Sequence, residues 1–130
     1  MTQALQRILL VEDDPDIQAV GQLALEAVGG FTVKICGSGR EALTMAADFA
    51  PDLILLDVMM PGMDGIATLA ALRAQETTKT IPVIFMTAKV QAHEVAHYKE
   101  LGALGVISKP FDPMTLSGTI SELWAEQVRV

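Results

Sequence analysis

An intramolecular disulfide is excluded at the outset: the 130 residues include a single cysteine, Cys36. Nothing therefore points to an oxidising compartment. Basic residues are also scarce, nine Lys and Arg against sixteen Asp and Glu, for a formal charge of −7. So acidic a surface repels phosphate backbones and anionic lipids, which argues against direct binding of nucleic acid or a membrane surface. Apolar residues make up 51% of the chain. Even so, charged or turn residues interrupt every apolar run well before the ~20 residues a spanning helix needs. The segment Met1 to Arg7 lacks the basic start, apolar stretch and cleavage site of a signal peptide. No linker, low-complexity tract or internal repeat divides the chain. The expectation is a cytoplasmic, acidic protein forming one domain over residues 1–130. A chain of that length buries about two-thirds of its unfolded surface and needs no structural metal to fold.

What is present is an alternation of two kinds of apolar segment. Short runs rich in β-branched residues have the pattern of strands buried on both faces, as in helix-covered parallel sheets. They are Ile8 to Val11, Thr32 to Cys36, Leu53 to Leu56, Val83 to Met86 and Gly105 to Ser108. Between them lie segments with helical spacing. In the first, Ile17, Val20, Leu23, Ala24 and Ala27 make an apolar stripe, with Pro15 in the first turn and Gly29-Gly30 at the end. Further helices are predicted from Gly39 to Phe49, Gly65 to Gln75, Gln91 to Leu101 and Pro113 to Gln127. Five β-α repeats predict a doubly wound α/β sheet of parallel strands with right-handed crossovers. In such sheets ligands bind beyond the carboxyl ends of the strands, so the informative residues stand just after each strand.

Those positions carry a coherent chemistry. Glu12, Asp13 and Asp14 follow the first strand, Asp57 the third, Thr87 the fourth and Lys109-Pro110 the fifth. Any one of them is ordinary at an exposed strand end; together they place carboxylates, a hydroxyl and an ammonium on one sheet edge. Crowded carboxylates repel one another, and a hard divalent cation such as Mg²⁺ relieves that repulsion through oxygen ligands. A carboxylate beside Mg²⁺ is a nucleophile toward a phosphoryl group, and Lys109 and Thr87 could balance the phosphoryl oxygens. Asp57 is the candidate nucleophile, because it ends the central strand.

These residues resemble a known family. Leu9-Leu10-Val11-Glu12-Asp13-Asp14, Asp57 followed by Met60-Pro61-Gly62-Met63-Asp64-Gly65, Met86-Thr87-Ala88 and Lys109-Pro110-Phe111 are similar to the response-regulator receiver domain of two-component signalling. The resemblance covers Arg7 to Leu123 and implies a flavodoxin-like sheet of strand order 2-1-3-4-5 with five helices. It implies that Asp57 accepts a phosphoryl group from the phosphohistidine of a sensor histidine kinase or phosphotransfer protein. By the same resemblance Asp13 binds Mg²⁺ directly, Glu12 mainly through water, and the Met59 backbone carbonyl is a further ligand. Thr87 and Lys109 hold the phosphoryl oxygens, and the Lys109–Pro110 bond is cis. The face of the fourth helix, fifth strand and fifth helix then changes its affinity for a downstream protein, which the sequence does not name. Catalysis is confined to the chain's own phosphorylation and dephosphorylation. Asp14 and Asp64 read as helix caps, not as ligands.

One departure concerns the fifth strand, where the family usually carries an aromatic residue and this chain has Val106, stiff about χ1 and without a ring. Two other motifs have plainer accounts. His93-Glu94-Val95-Ala96-His97 matches the zinc-protease pattern H-E-x-x-H, with Glu122 or Glu126 as an imaginable third ligand, but reads as a solvated helix face. Gly37-Ser38-Gly39-Arg40-Glu41-Ala42 imitates a dinucleotide fingerprint, but follows the second strand and reads as a turn with Ser38 as cap. Cys36 is expected to be a buried apolar residue. Packing is the expected role of Trp124, with Tyr98 and Trp124 the alternative as partner contacts. The rival from another class is an Mg²⁺-dependent aspartyl-phosphate phosphatase or phosphotransferase. Enzymes of the haloacid-dehalogenase kind want a second Asp two residues after the nucleophile, where this chain has Met59.

Overall fold

The Ile-, Leu- and Val-rich runs become five parallel strands: β1 (Arg7–Val11), β2 (Thr32–Cys36), β3 (Leu53–Asp57), β4 (Val83–Thr87) and β5 (Gly105–Ser108). They form one sheet of order β2-β1-β3-β4-β5 in a computed structural model that describes residues 4–128. The connecting helices are α1 (Pro15–Leu23), α2 (Gly39–Phe49), α3 (Gly65–Ala74), α4 (Ala92–Glu100) and α5 (Leu116–Val128). No helix among the described residues is long and apolar enough to cross a membrane.

Alternation along the strands divides the core in two. Leu9, Val11, Ile54, Leu56, Val83 and Phe85 pack under Ala42 and Ala46 of α2, Leu69 and Leu72 of α3, and Tyr98 of α4. Ile8, Leu10, Leu53, Leu55, Ile84 and Met86 pack on the other face under Ala24, Leu25 and, from α5, Leu116, Ile120 and Trp124. Helices thus switch sides between β1 and β3, and that reversal opens a crevice at the carboxyl ends of these strands.

The caps act as expected. Asp14 accepts from the Asp16 and Ile17 N–H groups, Ser38 from Glu41 and Asp64 from Ala67. Gly39 is set so close to Thr68 and Met63 that a side chain would not fit, so this glycine serves the packing of α2 against α3 and not a phosphate cradle. Trp124 and Tyr98 are both buried and pack.

Three expectations need correction. β2 is an edge strand with Thr32 and Lys34 exposed, and β5 closes the other edge; only β1, β3 and β4 are buried on both faces. In α1 the buried residue is Gly21, and the helix runs on through one π-helical turn (Ala24–Val28) that buries Ala24 and Leu25. Val20 and Leu23 stay 42% and 65% exposed, so the inward face is rotated from the apolar stripe. The cause is close packing: a Cβ on Gly21 would stand 2.9 Å from the Leu10 side chain. A contact made by glycine carries no hydrophobic signature. The helix still ends at Gly29-Gly30, with Gly30 at φ 73°. α5 starts later than Pro113, because hydrogen-bonded turns to Asp112 precede it.

Candidate functional site

Each acid reaches the crevice because a strand ends beneath it. Glu12 directly follows β1, and its N–H donates to the Cys36 carbonyl, which prolongs the pairing of β1 with β2 by one residue. Asp57 is the last residue of β3, and the Val58 N–H continues the ladder to the Met86 carbonyl at 3.0 Å. Gly65 allows the chain to turn back into α3: a Cβ there would strike the Asp57 carbonyl and stand 2.7 Å from the Val58 Cα. Glu12 and Asp57 are each 1% exposed and Thr87 is fully buried, whereas Asp13 is exposed.

Lys109 closes the site from β5. Its Nζ lies 2.9 Å from Glu12 Oε1 and 3.3 Å from Asp57 Oδ1. The Lys109 N–H donates to the Thr87 carbonyl at 2.9 Å, which fixes the start of this side chain beside β4, and the Lys109–Pro110 bond is cis. The second Glu12 oxygen accepts from the Asp14 N–H at 3.0 Å, and Asp57 Oδ1 accepts from the Met59 N–H at 3.3 Å. Thr87 Oγ1 accepts from the Lys89 N–H at 3.1 Å. Gln18, which the sequence does not single out, donates its Nε2 to the Glu12 carbonyl at 2.5 Å and braces the acidic turn from α1. Its one advance signal is its place one turn into the helix that follows the acids.

Burial raises the Glu12 carboxyl above its ordinary pKa, opposed by the Asp14 N–H and Lys109 and assisted by the charge of Asp57. Burial alone would lower the Lys109 ammonium, but hydrogen bonds and charge from Glu12 and Asp57 outweigh it and hold the pKa above its ordinary value.

Glu12, Asp13 and Asp57 bring ligand oxygens within 4.8 Å of one another. Three carboxylates against the one ammonium that bridges two of them leave the pocket about two charges negative. Hard oxygen donors with that deficit fit a hard divalent cation of the Mg²⁺ class better than a soft metal. No other group of three or more acidic, histidine or cysteine donors is so gathered among the described residues. His93 and His97 lie exposed on α4 without a third donor from Glu122 or Glu126, so the zinc-protease pattern forms no site. Met59 is 65% exposed at the mouth, where a dehalogenase-type hydrolase would need its second acid.

Comparisons with known proteins agree with this fold. A family model described as the response regulator receiver domain matches residues 8–121. The chain is 40% identical over 111 residues to the DNA-binding response regulator MtrA of Mycolicibacterium smegmatis, a match covering 85% of this chain and 47% of that protein. It thus spans about half the length of the curated relatives it matches. Among solved structures, the chemotaxis response regulator CheY4 of Vibrio cholerae superposes with a TM-score of 0.84 at 32% identity, covering 92% of this chain and 99% of that one. The receiver domain of the sensor histidine kinase PA1611 from Pseudomonas aeruginosa superposes with a TM-score of 0.80 at 30% identity, over 94% of this chain and 99% of that one. Its structure has a magnesium ion coordinated in the active-site cleft.

Proposed function

The chain belongs to the response regulator receiver domain family of two-component signalling, and on that premise we propose that it is a phosphoacceptor switch in which Asp57 takes a phosphoryl group from the phosphohistidine of a histidine kinase or phosphotransfer protein. An Asp57 carboxylate oxygen forms a bond to phosphorus while the phosphorus–nitrogen bond of the donor breaks. The electron pair leaves on the imidazole, which then takes up a proton. Glu12, Asp13, Asp57 and the Met59 carbonyl would hold Mg²⁺, which supplies charge compensation for the transferring group. Lys109, already 3.3 Å from Asp57, pairs with a phosphoryl oxygen, and the Thr87 hydroxyl donates to another. These movements change the outer face of α4, β5 and α5, and with it the affinity for a downstream protein. The observation that carries the proposal is Lys109 bridging two buried carboxylates, one of them at the end of the central strand.

DNA binding is part of the name of MtrA; for this chain, with its net charge of −7, we assign no direct contact with nucleic acid and none with membrane. The place of action is the cytoplasm. The test is incubation with acetyl phosphate and Mg²⁺ followed by intact-mass measurement. One phosphoryl adduct is expected on the wild type and none on Asp57→Asn. An undiminished adduct on the variant overturns the assignment. Steady turnover of a phosphate ester by the same protein would favour the phosphatase rival, and none is expected.

A further inference from the structure

Helix α4 is held differently from its neighbours. Among the described residues its one buried member is Tyr98, whereas α2 buries Gly39, Ala42 and Ala46 and α3 buries Gly65, Thr68, Leu69 and Leu72. A short helix anchored by one side chain shifts at small cost in buried apolar area, which is what marks the low-stability end of a structure. That anchor stands on β4. The Tyr98 ring meets Phe85 edge-on, with centroids 5.3 Å apart and planes at 64°. Phe85 is fully buried and lies two residues before Thr87, on the same face of the strand. Opposite Phe85 on β5 is Val106, half-buried in the same core. Phe85, Val106 and Tyr98 therefore form the layer one step down the sheet from Thr87, and its aromatic partner for Phe85 comes from α4, not from β5.

Resting on the phosphoacceptor reading above, we infer that Tyr98 is the positioning residue that couples Thr87 to α4. The Lys89 N–H ties the loop before α4 to Thr87 Oγ1, so a hydroxyl drawn toward a phosphoryl group on Asp57 carries that loop with it. The helix that follows re-seats where it is held, and the Tyr98 ring repacks on Phe85. Val106 has no ring to turn and is restricted about χ1, so β5 does not take this part.

Tyr98 is the only tyrosine in the chain, so labelling with fluorotyrosine places one fluorine reporter at this ring. The full chain is treated with acetyl phosphate and Mg²⁺ and followed by fluorine NMR and intact mass in parallel. The expected result is a displaced resonance that grows in step with the phosphoryl adduct, with neither change in Asp57→Asn. An adduct with an unmoved resonance overturns the coupling while sparing the phosphoacceptor assignment; no adduct at all overturns both. In Tyr98→Phe, which keeps the ring, the amide shifts of α4 on phosphorylation are expected to persist. In Tyr98→Leu, which keeps apolar bulk, the adduct is expected to form while those shifts fall by about half or more. A full response in Tyr98→Leu would show mere core filling and refute the coupling.

Discussion

The crowding of Glu12, Asp13 and Asp57 has a measurable consequence: Asp57→Asn should stabilise the metal-free protein and remove most of its response to Mg²⁺. The magnitude follows from the distances. At an effective dielectric of about 20, the attraction of Asp57 to Lys109 across 3.3 Å is worth ~5 kcal/mol. Repulsion from each of the other two carboxylates, within 4.8 Å, is at least ~3.5 kcal/mol on the same scale. Solvent around the exposed Asp13 roughly halves its share, so the charge terms nearly cancel. The lost hydration of a carboxylate only 1% exposed then decides the sign. The neutral amide avoids most of that cost and leaves the Lys109–Glu12 pair intact, for a net gain of about 1–2 kcal/mol. Urea unfolding in EDTA measures the gain as a higher midpoint at unchanged slope. Millimolar Mg²⁺ should then raise the midpoint of the wild type well above its effect on the variant, because a ligand stabilises only the state it binds. A variant less stable than the wild type in EDTA, or equal Mg²⁺ shifts in both proteins, would refute the reasoning.

Three other outcomes are expected. On the proposed phosphoacceptor reading, Met59, 65% exposed two residues past Asp57, would shield the phosphoryl group from water, so Met59→Asn should lose its phosphoryl group several-fold faster than the wild type by intact mass over time; slower loss would count against the shielding. Burial, with a smaller contribution from Glu41, pushes the Cys36 thiol up to about 12. The fold therefore favours the neutral thiol, a contribution fully present below the unfolded thiol pKa and lost as pH rises toward about 12. Iodoacetamide at mildly alkaline pH should accordingly modify the native protein far more slowly than the denatured one, and equal rates would contradict the buried placement. Gly65→Ala gains ~1 kcal/mol of helix propensity. It also forces a methyl group against the Asp57 and Val58 backbone, a cost of about 1–3 kcal/mol, so urea unfolding should show a net loss. A higher midpoint would mean that the turn into α3 has room to spare.

Interactions that close within a few residues are legible in the sequence. The caps at Asp14, Ser38 and Asp64 complete their hydrogen bonds within three residues, so their spacing is already whole in the chain. The same holds for the strand runs and for the polar residues that stand directly after them. Longer contacts are not legible in this way. Lys109 meets Glu12 across 97 residues, and only the order β2-β1-β3-β4-β5, with β1, β3 and β4 side by side, brings their carboxyl ends to one crevice. Residue order alone puts acids, a hydroxyl and an ammonium at strand ends; the folded sheet makes Lys109 bridge Glu12 and Asp57 while Asp13 faces solvent. Likewise, hydrophobic spacing marks α1 as amphipathic but misplaces its inner face, because Gly21 contributes close approach instead of apolar area. Tyr98 shows the same limit: its type is compatible with partner binding or packing, and only the seat of α4 over Phe85 selects packing. Periodicity reports which residues prefer to leave water, whereas their partners depend on chain crossings that no local pattern encodes.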